Sequence, residues 1–278
     1  MTVGIETVGL TLSISDGVHL PVLRSRLLSS LPNVVHGLTR RVQALGVADG
    51  NVGFGAPRDP NDAWTMRELW CGAIGLNARD LVTVRQVHGA AVVRTGASDA
   101  GRGASPGSEP LAVGDALMTR EPGVALMTLH ADCLPVLLCD PEAPAVAVVH
   151  AGWRGTVAGI AALTVQALTE TFDLDPGRTI AYLGPTNRGC CYEVGDEVAA
   201  DWLRFDPGDT ASALRRVGGR WRFDVAVANR WTLMRAGLEP GNIECSDICT
   251  QCAADQWFSH RAQGPLTGRF GAVIGLIA

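Results

Sequence analysis

Short apolar segments separated by turn residues run through much of the chain. Apolar runs of about four to eight residues that are bounded by Gly, Pro or Asp favour strands buried in a sheet. They cover residues 81–87, 124–130, 134–139, 145–150 and 179–183. The pattern therefore predicts strands over these five ranges.

Three longer segments carry helix signals. Residues 156–172 follow a glycine-rich turn, residues 224–236 begin at the N-cap residue Asp224 and stop before Gly237, and residues 62–74 look similar. Most strands lie between His36 and His150 and the helices are interspersed afterwards, so we expect an α+β fold. It should be a single domain over residues 1–278, with layered mixed β-sheets and flanking helices, and residues 1–32 are its least defined segment. Residues 96–110, rich in Gly, Ala, Ser and Pro, predict a mobile surface loop.

The composition narrows the classes of function. The net charge of −5 offers no broad basic surface, so a nucleic-acid polymer is not an expected partner. No export signal is found and no apolar stretch approaches the roughly 18 residues of a membrane span, so we expect a cytoplasmic protein without a membrane partner. All 23 basic residues are arginine. Lysine Schiff-base chemistry is therefore excluded, and any bound phosphate must be held by arginine or by backbone N–H groups.

Eight cysteines in a reducing compartment are expected to be buried thiols, metal ligands or nucleophiles. Cys71, Cys139 and Cys245 are interpreted as core residues, because cysteine is often fully buried. Cys249 and Cys252 form a lone C-x-x-C motif. Without a second cysteine pair it is a weak zinc signal, and we do not expect a metal there.

The strongest candidate chemistry lies at the ends of the predicted strands. Cys133 follows one apolar strand and precedes another, and His150 ends the next. His88 stands before a glycine at the end of a further strand. Two imidazoles and one thiolate suit zinc, and three protein ligands leave a fourth position for water. The alternative is that Cys133 is an ordinary core thiol.

Two polar residues beside these ligands have two interpretations each. Asp132 either accepts a hydrogen bond from a ligating imidazole or caps backbone amides in a turn. Arg154 lies in a glycine-flanked loop before a predicted helix, where it either holds phosphate or is an ordinary surface arginine.

Further candidates lie towards the C-terminus. Glu193 is either a proton-transfer group or the start of a helix, and the second interpretation is favoured. His260, Arg261 and Arg269 lie near the last strand, where they either meet the substrate or cover a sheet edge.

Six spaced motifs occur in the order found in one family, and the chain therefore resembles the bacterial YfiH family, also called laccase-domain or polyphenol oxidase proteins. The resemblance runs from about His36 to the C-terminus. The motifs are Gln86-Val-His-Gly, Gly114-Asp-Ala-Leu-Met-Thr, Ala131-Asp-Cys-Leu-Pro-Val, Val149-His-Ala-Gly-Trp-Arg-Gly, Tyr192-Glu-Val-Gly and Phe258-Ser-His-Arg.

The resemblance implies a zinc site made by His88, Cys133 and His150. It also implies phosphorolysis of adenosine, inosine and methylthioadenosine, together with deamination of adenosine, so the partners are a purine nucleoside and phosphate. Copper-dependent phenol oxidation is the older assignment of the family. His130 occupies a position that often carries another residue, and we interpret it as a core imidazole.

For deamination, Asp132 or Glu193 is the expected carboxylate that carries protons. For phosphorolysis, Arg154 and nearby amides should place phosphate against the ribose carbon. Three rival hypotheses stay open: a copper oxidase, a metal-free hydrolase in which Cys133 is the nucleophile and His150 the base, and a non-enzymatic metal-dependent interaction domain. Six histidines are few for several copper centres, so copper is the second choice.

Overall fold

Two β-sheets packed face to face form the centre of the molecule, in a computed structural model that describes residues 10–15 and 18–277. The strands are β1 (Leu10–Ser15), β2 (Val18–Leu23), β3 (Val34–Leu38), β4 (Leu81–Val82), β5 (Val92–Arg94), β6 (Ala116–Thr119), β7 (Ala125–His130), β8 (Leu134–Asp140), β9 (Ala145–Ala151), β10 (Ile180–Leu183), β11 (Glu193–Val194), β12 (Leu214–Val217), β13 (Arg220–Phe223), β14 (Ile243–Cys245) and β15 (Phe270–Leu276). The helices are α1 (Arg26–Ser29), α2 (Pro60–Ile74), α3 (Trp153–Val157), α4 (Ile160–Phe172), α5 (Asp196–Phe205), α6 (Val225–Arg235) and α7 (His260–Gln263).

Both large sheets are mixed. The first has the strand order β1-β2-β3-β15-β7-β4, and the second has the order β14-β10-β8-β9-β6-β5. In the first sheet β4 runs parallel to β7, whereas in the second β5 is parallel to β6 and β14 is parallel to β10. A small antiparallel sheet, β11-β13-β12, lies apart from them. The remaining neighbours in the two large sheets are antiparallel.

Alternate residues of the central strands enter different apolar layers, because successive side chains of a strand point to opposite faces. Leu137 packs with residues of the first sheet, such as Ile274, and so belongs to the layer between the sheets. Val136 faces the other way and packs among residues of α4 and α6. A third layer lies between the first sheet and α2, where Trp70 is fully buried. The result is four layers, helix, sheet, sheet and helix, which confirms the expected α+β fold.

The strands predicted over residues 124–130, 134–139, 145–150 and 179–183 are confirmed, with small differences at their ends. The prediction over residues 81–87 is correct only for Leu81–Val82. Beyond Val82 the backbone of Thr83 and Arg85 pairs with residues of the loop at 102 and 111–114. The side chain of Gln86 hydrogen-bonds both backbone groups of Leu129.

The three predicted helices are present, and one of them is interrupted. Asp224 accepts a hydrogen bond from the backbone of Val227 and is the N-cap of α6, as expected. Residues 156–172 do not form one helix, because Gly159 has φ of +77° and separates α3 from α4. The loop of residues 96–110 is fastened to the fold, since the buried guanidinium of Arg67 donates to the carbonyls of Gly103 and Ala104.

Within the described part of the chain, the helices are all too short or too polar to cross a bilayer. The poorly defined segment predicted over residues 1–32 falls partly outside the described residues. Its described part contributes β1, β2 and α1, and the first two of these extend the first sheet.

Candidate active site

Three side chains from distant positions meet where the two sheets come together. Cys133 lies in the turn that takes the chain from β7 in the first sheet to β8 in the second. His150 lies near the end of β9, which pairs with β8 in antiparallel register. His88 follows the segment that Gln86 ties to β7. The ligand atoms of the three residues all lie within 4.8 Å of one another, so the structure brings together the predicted trio.

Asp115, directly before β6, holds the ring of His150 and the backbone at His88. Its Oδ1 atom accepts from His150 Nδ1 at 2.9 Å and from the backbone N–H of His88 at 2.9 Å. Its Oδ2 atom accepts from the backbone N–H groups of Val87 and Gly89. Desolvation acts to raise the pKa of Asp115, but the hydrogen bonds from His150 and Gly89 lower it overall. Since Nδ1 of His150 is engaged by Asp115, Nε2 is the nitrogen left for a ligand.

The turn at His88 depends on its backbone conformation. His88 has φ of +61°, in the left-handed region, and this conformation lets the successive amides of Val87, His88 and Gly89 converge on one carboxylate. A carboxylate held by several backbone amides is stabilised in its charged form. The backbone at His88 and the ring of His150 are therefore held by the same group.

Cys133 and His150 form an electrostatic pair. Burial acts to raise the pKa of the Cys133 thiol, but the charge of His150 and hydrogen bonds from His150 and His88 outweigh it and lower that pKa to about 6. Burial acts to lower the pKa of His150, but the Cys133 charge and the hydrogen bond to Asp115 raise it. The thiolate, which is the form that binds metals, is thus favoured at neutral pH.

His130 is next to the trio but does not belong to it. Its ring centroid lies 5.3 Å from that of His150, and the ring stacks on Phe270. Its Nδ1 atom is 3.0 Å from the carbonyl oxygen of Cys133, and its Nε2 atom is 2.8 Å from Thr128 Oγ1. Burial holds the pKa of His130 well below its usual value. Both ring nitrogens have partners, in agreement with the interpretation of His130 as a core imidazole.

A cavity of about 970 Å³ opens beside the trio. It is lined by His88, Cys133 and His150, and also by four arginines. Among the described residues, none of these arginines forms a salt bridge with a carboxylate. The cavity therefore combines possible metal ligands with arginines that form no salt bridge. The four arginines are Arg58, Arg154, Arg261 and Arg269.

The guanidinium groups of Arg58 and Arg269 lie close enough to repel one another. Both donate to the backbone carbonyl of Thr267. Burial, followed by the charge of Arg58, lowers the pKa of Arg269. Two neighbouring cations with only carbonyl partners form a suitable position for an anion. Arg269 was undecided from sequence, and Arg58 carried no sequence signal at all, since it lies in an irregular segment far from the motifs.

Asp132 lies in the wall of the cavity and joins three loops. Its Oδ1 atom accepts from Thr250 Oγ1 at 2.7 Å, and its Oδ2 atom accepts from the backbone N–H of Arg261 at 2.7 Å. Its carbonyl accepts from the side chain of Thr186 and from the backbone N–H of Asn187. Of its two predicted roles the structure shows the amide-capping one, while Asp115 is the carboxylate that orients the imidazole of His150.

The other predicted site residues separate into two groups. Arg154, His260 and Arg261 line the cavity, the first stacked on Trp153. Glu193 does not line it, but lies in β11, where it pairs with Arg220 at 2.8 Å and with Arg222. Glu193 does not start a helix either, because α5 begins at Asp196.

A second cluster was missed by the sequence analysis. The sulfur atoms of Cys190, Cys191, Cys249 and Cys252 all lie within 4.8 Å of one another, an arrangement that could hold a metal ion. We discounted Cys249 and Cys252 because no second C-x-x-C pair accompanied them. The adjacent pair Cys190-Cys191 supplies the missing ligands, so adjacent cysteines were the available signal.

The fold is a mixed α+β domain, and its cavity combines cationic side chains with a Cys-His cluster. Such a cavity is typical of an enzyme that binds a polar small molecule. The chain belongs to the family described as "Multi-copper polyphenol oxidoreductase laccase", whose model matches residues 36–277. The crystal structure of the Bacillus licheniformis hypothetical protein YfiH is similar, with a TM-score of 0.85 at 29% identity over 92% of this chain and 96% of the other. The resemblance to the YfiH family is thereby confirmed.

Two curated relatives are named as enzymes. "Purine nucleoside phosphorylase" of Deinococcus radiodurans is 39% identical over 78% of this chain and 79% of its own length. "Adenosine deaminase RL5", from an unknown prokaryotic organism, is 35% identical over 70% of this chain and 75% of its own length. These similarities agree with the expectation that the chain is an enzyme.

Proposed function

We propose that the chain is a zinc-dependent purine nucleoside phosphorylase that acts on adenosine, inosine and methylthioadenosine and also deaminates adenosine. The observation that carries the proposal is that one cavity holds both the trio and four arginines without carboxylate partners. A nucleoside phosphorylase must bind a dianion and a neutral nucleoside side by side. The names of the two curated relatives support the same pair of reactions.

Phosphate binding is assigned to the cationic wall of the cavity. Guanidinium groups donate two parallel hydrogen bonds to phosphate oxygens and stay charged at neutral pH. Arg58 and Arg269 repel one another, and an anion between them would relieve that repulsion. Arg154, next to the trio, would orient the phosphate oxygen that attacks the ribose.

The rest of the cavity suits a nucleoside. Its volume of about 970 Å³ lies near the upper end of the range for small-molecule sites, so two substrates can be bound together. Tyr192 and Trp153 supply aromatic surface, and Asn187 supplies an amide that can pair with polar edges of a purine.

The trio fits a zinc ion. His150 is oriented by Asp115, the Cys133 thiolate is favoured, and Gly152 leaves the space that the ligands need, since a Cβ atom there would lie 3.0 Å from Cys133 Sγ and 3.1 Å from His88 Cδ2. His88, Cys133 and His150 would hold the ion. A zinc ion bound there supplies Lewis-acid chemistry.

In phosphorolysis the bond from ribose C1′ to the purine nitrogen breaks and a bond from C1′ to a phosphate oxygen forms. The reaction needs the phosphate held against C1′ while the base leaves, and this positioning is the role of Arg154 and the backbone amides near it. The arginines also exclude water from that position when phosphate is bound, so that ribose 1-phosphate and not ribose is the product.

In deamination an oxygen from water replaces the 6-amino group of adenine and ammonia leaves, so a group in the cavity must carry protons. Asp132 is the only carboxyl group among the described residues that line the cavity. We assign the proton transfer to Asp132, whose oxygens can still accept bonds beyond those from Thr250 and Arg261.

The direct test is incubation of the purified protein with adenosine, with and without phosphate, followed by separation of the products. Adenine with ribose 1-phosphate should form only when phosphate is present, and inosine should form in both cases. The variants His88→Ala and Cys133→Ser should lose both products and their zinc, because each removes a metal ligand. Absence of adenine and inosine from the wild-type reaction would refute the nucleoside assignment.

Matched controls and rival assays separate the remaining hypotheses. His19→Ala removes an exposed imidazole and Cys245→Ser removes a thiol outside both clusters, so both should keep activity. A copper oxidase would consume oxygen with a phenol, and its activity would follow copper content. A thiol hydrolase would keep its activity after chelation and lose it on alkylation.

A further inference from the structure

The four-cysteine cluster lies at the surface, between two loops. Cys190 and Cys252 are exposed, Cys191 is half-buried and Cys249 is buried. The Sγ atom of Cys252 is 2.9 Å from that of Cys191 and 3.5 Å from that of Cys190. Four thiols this close are unusual in a chain in which Cys71, Cys139 and Cys245 lie apart from both clusters.

The separations suit one tetrahedral ion. Metal–sulfur bonds of about 2.3 Å place the four sulfurs of a zinc tetrathiolate about 3.8 Å from one another. The sulfur–sulfur separations in the structure extend from 2.9 Å to at most 4.8 Å and so bracket that value. A cluster with several irons would set its cysteine sulfurs farther apart, because the metal atoms lie between them.

Groups next to the four cysteines favour negative charge on their sulfur atoms. The backbone N–H groups of Arg188 and Cys252 lie near the sulfur of Cys249 and favour its charged form. Arg222 donates to the carbonyl of Cys190, so a guanidinium lies beside the cluster. Four thiolates around one divalent ion carry net negative charge, and such N–H donors and cations stabilise it.

We propose that Cys190, Cys191, Cys249 and Cys252 bind a second, structural zinc ion that fastens two loops of the cavity wall together. The thiols bind as thiolates, so binding releases their protons to solvent. With four protein ligands the site has no open position, which is the arrangement of structural rather than catalytic zinc.

The two loops that this ion would join both reach the active-site cavity. One continues from Cys191 to Tyr192, and the other continues from Cys252 towards His260 and Arg261. The loops already touch through Thr186, whose backbone pairs with residues 248 and 250. The second ion would therefore position the wall of the cavity without touching the substrate.

Metal content of the purified full-length protein tests the proposal. The wild type should contain about two zinc ions per chain, and the double variant Cys191→Ser with Cys252→Ser should contain about one fewer. The double variant His88→Ala with Cys133→Ser should retain the ion of the four-cysteine site. Cys245→Ser is the matched control and should contain as much zinc as the wild type.

The outcomes also separate this proposal from the proposed function. If only the four-cysteine site binds zinc, the wild type contains about one ion and the variant without Cys191 and Cys252 contains none. Equal zinc in that variant and the wild type overturns the proposal, as does iron in place of zinc. So does a Cys191–Cys252 disulfide in protein purified under reducing conditions, detected by mass spectrometry.

Two measurements keep the test decisive if the cysteine variant folds poorly. X-ray absorption at the zinc edge of the His88→Ala, Cys133→Ser variant should show four sulfur ligands at about 2.3 Å, and nitrogen ligands would contradict the proposal. Removal of that remaining zinc by a chelator should speed amide hydrogen exchange in residues 187–192 and 248–261. Unchanged exchange in both segments would show that the ion does not fasten them.

Discussion

Asp115 accepts hydrogen bonds from the ring of His150 and from the backbone N–H of His88. Asp115→Asn keeps the size of the side chain but removes the charge that stabilises the imidazole donor. Loss of such a partner of a metal ligand typically costs about 10- to 100-fold in metal affinity. We expect a loss of this size in a competition titration with a zinc chelator. Asp173→Asn, an exposed change at a left-handed position that asparagine tolerates, should leave the affinity unchanged.

Arg58 provides a second prediction at the scale of the residue. Arg58→Gln removes a charge from the cationic wall, and hydrogen bonds to charged groups contribute about 1.5–3 kcal/mol each. The KM for phosphate should therefore rise by about 10- to 100-fold, while the KM for the nucleoside changes little. Steady-state kinetics with each substrate varied in turn measures both. An equal rise of the two KM values would contradict the assignment, and Arg79→Gln is the exposed control.

At this scale the sequence predicted that His88, Cys133 and His150 lie close together, and part of the reason is local. Cys133 directly precedes β8 and His150 lies in β9, and these two strands are consecutive and short, so the proximity of the two residues follows from the pattern. Arg58 lies in an irregular segment, and its approach to Arg269 depends on packing that no periodicity describes. Asp115 was overlooked as a partner of His150 because its contact is set by the pairing of β6 with β9.

The turn between β9 and α3 shows how an element constrains the site. Gly152 has an ordinary backbone conformation, with φ of −73°, so alanine would not strain the chain there. Its methyl group would press on Cys133 and His88. We expect Gly152→Ala to lower zinc content and activity together while the protein stays folded, as measured by metal analysis and circular dichroism. Gly241→Ala, with open space around its Cβ position, should change neither.

Predictions of elements failed where the chain changed its backbone partners or its direction within an apolar pattern. The apolar pattern of residues 81–87 is typical of a strand, but beyond Val82 the backbone of Thr83 and Arg85 pairs with residues of the loop at 102 and 111–114. Gln86 then bonds Leu129 of β7 with its side-chain amide. The helix pattern of residues 156–172 continues past Gly159, yet that glycine turns the chain. Periodicity reports which face is buried and not which group completes a hydrogen bond.

At the scale of the whole molecule, stability depends on a buried imidazole far from the site. His36 in β3 accepts from the backbone N–H of Ser25, and burial, then the charge of Arg24, lowers its pKa from 6.5 to about 4. The folded protein therefore favours the neutral ring. The contribution of His36 to the free energy of unfolding is fully present above pH 6.5 and is lost as the pH falls towards 4.

From pH 7 to pH 5 the free energy of unfolding should decrease by about 2 kcal/mol through His36 alone. His36→Gln keeps an acceptor for Ser25 but does not titrate. Urea unfolding of both proteins at both pH values measures the difference, and the variant should show a pH dependence smaller by about that amount. Equal pH dependence in the two proteins would contradict the buried, neutral ring.

The layered architecture could be predicted because strand and helix patterns separate along the chain. The order of the strands in the sheets could not be predicted. Pairing of β15 between β3 and β7 joins the last strand to segments about 140 to 240 residues earlier, as the register shows. The four-cysteine cluster was missed for the same reason, since it joins two loops that only the complete fold brings together.

The passage of the chain from one sheet to the other at Cys133 has a mechanical consequence. His88 is tied to the first sheet through Gln86 and to the edge of β6 in the second sheet through Asp115, and His150 belongs to the second sheet. An ion shared by them would add a further cross-link between the two sheets, so the resistance to sliding of one sheet over the other would increase when the site is occupied. The pulling force needed to separate the sheets in a single-molecule experiment would accordingly report whether the ion is bound.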